Sequence, residues 1–175
     1  MNKKDLVWYA SYGSNMLSER LMCYINGGRN RFNVGESRRC RDTSSPIMSM
    51  PVTIPYNMYY AKNSPSWNGS AVSFLDITQH GKAYGVAYLI TREQMSHIHR
   101  EENGGHELAA NSWYNMLLAI DSFDGIDIVT ITSSAVFEKR EPSAGYLRVL
   151  AEGLKEHYKY LSDAQVNAYI LSRND

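Results

Sequence analysis

At 175 residues the chain is long enough for one domain that buries about 70% of the surface its unfolded form exposes. Its 18 Lys and Arg residues balance 18 Asp and Glu, so no global field draws it to nucleic acid, an anionic membrane or another polyanion. Two cysteines without metal spacing exclude a disulfide framework, and no apolar run approaches the length of a membrane span. The composition predicts a single domain over 1–175, with no linker, repeat or low-complexity segment. The N-terminus, Met-Asn-Lys-Lys-Asp, runs straight into a strand rather than a signal-peptide core, and the expected address is the cytoplasm.

Leu6 to Ser11 is short, aromatic and β-branched and reads as a buried strand. Leu17, Leu21, Tyr24 and Ile25 then recur at helical spacing until Gly27-Gly28 stops the pattern. Between them lies Tyr12-Gly13-Ser14-Asn15-Met16, a tight strand-to-helix turn. Gly13 can take a positive φ, and Ser14 or Asn15 can cap the helix. Such a turn aims several unpartnered N–H groups at one point, a seat for a carboxylate or an oxyanion. An ordinary capped turn without a ligand is the plainer reading of these residues alone.

Next comes an irregular, basic stretch holding Arg29, Arg31, Arg38, Arg39 and Arg41 against Glu36 and Asp42. It is either a solvated loop with local ion pairs or a patch facing an anionic substrate. Ser45-Pro46, Met50-Pro51 and Ile54-Pro55 favour extended or edge-strand backbone. Tyr56 to Ala61 predicts a short strand, and residues 63–69 a turn-rich loop carrying Trp67. Residues 71–75 and 83–90 predict two strands around a loop with His80-Gly81-Lys82.

A helix starts at Thr91, with Gln94 in the capping-box position, and ends at Asn103-Gly104-Gly105. At about 100° per residue, Met95, Ile98 and Glu102 lie within about 60° of one another, whereas Glu101 points off that stripe. An inward carboxylate at Glu102 needs a hydrogen bond or a function, and burial raises its pKa as general acid/base work requires. A glutamate reaching solvent at a fraying helix end is the other reading. His97 and His99, two apart on this helix, face different ways and cannot chelate a metal together, and no zinc motif is present. Ser11 and Ser14 lack a nucleophile elbow. Residues 113–120 and 126–132 predict a hairpin around 121–125. Pro142-Ser143-Ala144-Gly145-Tyr146 then opens a helix whose face is Tyr146, Val149, Leu150, Gly153, Leu154 and His157, and a final short helix runs from Ser162 or Asp163 to Ile170.

Three of these pieces together resemble one family. Tyr12-Gly13-Ser14-Asn15-Met16 after the first strand is similar to the Tyr-Gly-Ser-Asn-Leu/Met loop of the γ-glutamylcyclotransferase-like proteins. Gly85-Val86-Ala87-Tyr88-Leu89-Ile90, followed by a helix ending in Glu102, resembles that family's Gly-Val-aliphatic strand and catalytic-glutamate helix. Pro142-Ser143-Ala144-Gly145-Tyr146 resembles its Pro-Ser-x-x-Tyr turn. The likeness covers roughly residues 6 to 160. One departure is that Asn103, rather than glycine, follows Glu102.

The resemblance implies an α+β fold, a small mixed β-barrel or roll with flanking helices and a pocket at one end. It implies closure of a γ-glutamyl group to 5-oxoproline with release of an amine or amino acid. Glu102 would then be the general acid/base. Tyr12, Gly13, Ser14, Asn15, Met16 and Tyr146 would bind the γ-glutamyl substrate, with no metal or organic cofactor. Two alternatives stay open: a non-catalytic binding module on the same fold, and removal of a γ-glutamyl protecting group from a biosynthetic intermediate. The Arg29 to Arg41 stretch is the expected reader of a carboxylate on the leaving half.

Overall fold

A computed structural model describes residues 2–32 and 35–175. Residue 1 of the expected domain, and residues 33 and 34 within the arginine-rich stretch, lie outside the described residues. In chain order the elements are β1 (Leu6–Ser11), α1 (Ser18–Asn26), β2 (Gly28–Arg29), β3 (Glu36–Ser37), β4 (Met48–Ser64), β5 (Ser70–Thr91), α2 (Arg92–Glu102), β6 (Met116–Phe123), β7 (Ile126–Thr132), α3 (Ala144–His157) and α4 (Asp163–Leu171).

Five strands form one mixed sheet in the order β4-β5-β1-β7-β6. β1 occupies its centre, antiparallel to β5 and parallel to β7, and all six of its residues are buried. That explains the unbroken apolar run, because a central strand covered on both faces shows no alternation. The sheet is open, with β4 and β6 as its edges, so the expected barrel or roll is approached without closing.

One expected loop is strand instead. The segments read as separate strands at 71–75 and 83–90 are one 22-residue strand, β5, paired with a 17-residue β4. The ladder shifts register where Tyr56 pairs with His80 and Asn57 with Asp76, so the residues between form a bulge. Asp76 fixes it by accepting from the Thr78 N–H and hydroxyl and the Gln79 amide. Pro51 and Pro55 are tolerated because β4 is an edge strand. The hairpin of β6 and β7 is tighter than expected: only Asp124 and Gly125 form its turn, both at positive φ.

Helix α2 carries the capping box read from Thr91 and Gln94. Its first turn is pinned to the preceding loop, since Thr91 donates to Asp42 and Gln94 to the Ser44 carbonyl. At the other end Gly104 and Gly105 take positive φ, and Gly105 N–H returns to the Arg100 carbonyl. Helix α3 lies on the turn after β1. A Cβ at Gly153 would stand 2.7 Å from the Leu17 nitrogen, so glycine is what permits that approach. Among the described residues, no helix is long and apolar enough to cross a membrane.

Candidate active site

The strand-to-helix turn is built differently from its sequence expectation. Residues Ser14–Met16 form a 3₁₀ turn before α1 begins, and Leu17 rather than Ser14 or Asn15 is the helix cap. The opening of α1 is capped from a distance by Glu156, whose carboxylate accepts from the Ser18 N–H and hydroxyl. Gly13 has φ −117°, not a positive value. Glycine is needed there for room: a Cβ would lie 3.3 Å from the Tyr146 hydroxyl and 3.4 Å from Ser73 Cβ.

Freed from capping, Asn15 turns inward. Its amide nitrogen donates to Glu102 Oε1 at 2.6 Å and to the Tyr9 hydroxyl at 3.1 Å. Its own carbonyl oxygen is buried without a partner. Glu102 sits on the last turn of α2, the face that its wheel position predicts. Burial pushes its carboxyl pKa up, opposed by the charge of Arg20 and by hydrogen bonds from Tyr24 and Asn15. The helix dipole also disfavours a carboxylate at a C-terminal turn. Glu101, one step round the helix, is spent on the Arg38 backbone N–H at 2.9 Å.

Tyr12, Gly13, Ser14, Asn15, Tyr146 and Glu102 all line an inner recess of about 30 Å³, room for one or two oxygen atoms. Ser14 and Asn15, which open the 3₁₀ turn, border it, and the first N–H groups of such a turn have no acceptor within it. Met16 does not join them. Its side chain is fully buried in the core and its N–H bonds to the Gly13 carbonyl, so the substrate-binding assignment drops this residue. Both tyrosine hydroxyls are already engaged. Tyr12 donates to the Ile131 carbonyl at 2.9 Å. Tyr146 donates to Ser73 Oγ at 3.1 Å and accepts from the Ser73 N–H at 3.0 Å. Burial pushes the Tyr146 phenol up to about 12, so it stays protonated and serves as wall.

Outside the recess, and sharing Ser14, Glu102, Tyr114 and Tyr146 with it, opens a cleft of about 450 Å³. Its walls include Trp67, Trp113, Tyr24 and Arg20, none of which the sequence reading assigned to the site. Asn103, the departure from the family pattern, clamps one wall: its side chain bonds both the N–H and the carbonyl of Tyr114. His97 and His99 reach the backbone carbonyls of Arg38 and Tyr114, roles that hold segments against α2.

The arginine-rich stretch is not part of either cavity. Arg29 pairs with Glu36, Arg31 with Glu19 and Glu152, and Arg41 with Glu93, all on the surface. The solvated-loop reading describes these arginines, and the expected carboxylate reader is absent from their positions in the described residues.

No family model matches the sequence. Histone deacetylase 5 of Arabidopsis thaliana is 29% identical over 202 residues, which cover 94% of this chain and 30% of that protein. The chain therefore spans less than a third of this curated relative. Among solved structures, a γ-glutamyl cyclotransferase superposes with a TM-score of 0.62 at 13% identity, over 94% of this chain and 88% of the other. An uncharacterised human protein gives 0.61 at 13% identity with the same coverage. YkqA of Bacillus subtilis gives 0.59 at 15% identity, over 98% of this chain and 56% of its own. Superposing on these structures over nearly its whole length, the protein has the γ-glutamyl cyclotransferase-like fold.

Proposed function

We propose that the chain is a γ-glutamylcyclotransferase-type enzyme, closing the γ-glutamyl group of a small molecule to 5-oxoproline and expelling an amine or amino acid. The observation that carries this reading is the Asn15–Glu102 hydrogen bond, which holds a desolvated carboxyl where a small recess beside the turn meets an open cleft. The fold shared with a solved γ-glutamyl cyclotransferase supports it. The deacetylase named for the curated relative is not transferred, because the match covers 30% of that protein.

The chemistry follows from the parts. The reaction is intramolecular, so the site has to fold the glutamyl chain until its α-amine meets its own γ-carbonyl. The amine arrives as an ammonium and must lose a proton before it attacks. Glu102 takes that proton, and the new C–N bond leaves a tetrahedral centre with its oxygen negative. The recess is sized for that oxygen, against the first amides of the turn. Glu102 then returns a proton to the leaving nitrogen as the old C–N bond breaks. Two of the three ammonium protons end on the leaving amine, and one carboxyl whose pKa burial has raised can carry both in turn.

Incubating the chain with γ-glutamyl amino acids, γ-glutamylamines and glutathione, and following 5-oxoproline by mass spectrometry, tests the reading. Release from at least one compound supports it. Binding without release identifies a binding module, and neither outcome from any compound ends the proposal.

A further inference from the structure

The cleft contains a charge that the proposed reaction has not used. Arg20 is 4% exposed, on the inward face of α1, and its Nε is buried without a partner. Among the described residues it forms no ion pair: Glu19 beside it is committed to Arg31 and Asn30, and Glu102 accepts from Asn15. A guanidinium cannot shed its charge, and a buried charge without a counter-ion is strongly unfavourable. The guanidinium carbon of Arg20 lies 4.1 Å from the centroid of the Tyr24 ring, a cation–π contact that supplies no counter-charge. Both side chains border the cleft next to Glu102.

Resting on the cyclotransferase reading, we infer that Arg20 binds the α-carboxylate of the glutamyl group while Glu102 faces its α-amine. Every α-amino-acid head carries the two opposite charges on one carbon, and the cleft wall offers the two complementary charges side by side. Arg20 is near enough for its charge to act on the Glu102 carboxyl, yet the two form no ion pair. A bound zwitterion fills the space between them and satisfies both. This assignment leaves the amides of the turn free for the γ-carbonyl oxygen. It also makes Arg20 the residue that tells a glutamyl group from the same chain lacking its carboxylate.

The test is calorimetry of the full chain with 5-oxoproline and with pyrrolidin-2-one, the same ring without the carboxylate. Wild-type protein should prefer 5-oxoproline by about 10-fold or more, the scale of one charge-assisted hydrogen-bonded contact. Arg20→Met should lose that preference by weakening 5-oxoproline alone, and Arg20→Lys should keep part of it. Equal weakening of both ligands in Arg20→Met, or an undiminished preference, overturns the inference. So does a wild-type protein that binds both alike, a result that depends on no variant. Wild-type protein that takes neither ligand and releases no 5-oxoproline from any substrate removes the cyclotransferase reading and the inference with it. Preference kept in Arg20→Met, with turnover intact, removes Arg20 alone.

Discussion

Asn15 and Glu102, 87 residues apart in the chain, are joined by a 2.6 Å hydrogen bond from the amide nitrogen to Oε1. The bond ties the turn after the central strand to the last turn of α2. Neither residue serves its own element there: Asn15 caps no helix, and a carboxylate at a helix C-terminus opposes the dipole, although the wheel turns Glu102 inward. Each holds the other against the recess that both line. On the proposed reading, Glu102→Gln preserves the shape and the acceptor for Asn15 but abolishes proton transfer. Turnover should fall about 100-fold or more with the melting temperature held or raised. Glu101→Gln, which keeps an acceptor for the Arg38 N–H, should stay within a few-fold of wild type. Equal losses in steady-state kinetics of both variants would remove the assignment.

Glu102 also makes a prediction about stability and pH. Its carboxyl pKa in the folded chain is raised above the ordinary 4.5, so the folded state holds its proton more tightly than the unfolded one. The stability this gives is fully present below pH 4.5 and is lost as pH rises through the folded value. Gln at this position does not titrate. The melting temperature of Glu102→Gln minus that of wild type should therefore grow between pH 4 and pH 8, and a difference that shrinks contradicts the sign. Asn15→Leu removes one of the hydrogen bonds that hold the pKa down, so the acidic limb of its activity profile should move to higher pH.

Two glycines separate binding from folding. At Gly13 φ is negative, so no left-handed strain arises, and an added methyl meets the Tyr146 hydroxyl at 3.3 Å inside the recess. Gly13→Ala should melt within a few degrees of wild type and lose 5-oxoproline binding by calorimetry. At Gly153 the methyl would meet backbone, the Leu17 nitrogen at 2.7 Å and the Met16 carbonyl carbon at 2.9 Å. Overpacking of this kind costs about 1–3 kcal/mol, against about 1 kcal/mol gained in helix propensity. Gly153→Ala should lower the denaturant midpoint and loosen the turn, and a stabilised variant would show that α3 can move away freely.

The sequence carried the parts of this architecture that depend on local chemistry. A continuous apolar run marks β1, the capping box marks α2, and the wheel places Glu102 inward. It hid what depends on neighbours. Pro51, Pro55 and the polar stretch around His80 look like breaks, yet an edge strand tolerates the prolines and a bulge absorbs the rest. Gly13 suggested a positive φ, but its constraint is a tyrosine 133 positions later. Arg20 was within reach of the same argument that found Glu102. On the α1 wheel it falls about 40° from Tyr24 and about 60° from Leu17, a charge beside an apolar face. The clustered arginines at 29–41 are the more conspicuous positive charge, yet Arg29, Arg31 and Arg41 are paired at the surface.

That relocation of positive charge changes what the leaving half of the substrate should meet. The cleft beyond Glu102 is walled by Trp67, Trp113 and Tyr114, while Arg29, Arg31 and Arg41 face solvent with acidic partners. Salt should then have little effect on the choice between a γ-glutamyl amino acid and its decarboxylated amine. An aromatic or apolar leaving group should be favoured through ring contacts worth about 0.5–1.5 kcal/mol each. Trp113 is the wall to remove, because it is half-buried and its neighbour Tyr114 is tied to Ser73 and Asn103. Trp113→Ala should raise KM for a γ-glutamyl compound with a phenylalanine-sized leaving group by about 3- to 10-fold, and leave KM for one with an alanine-sized group within 2-fold, by the same ring-contact energies. Kinetics in which both substrates suffer alike, or in which Arg31→Ala rather than Trp113→Ala shifts the preference, would return the leaving group to the basic stretch.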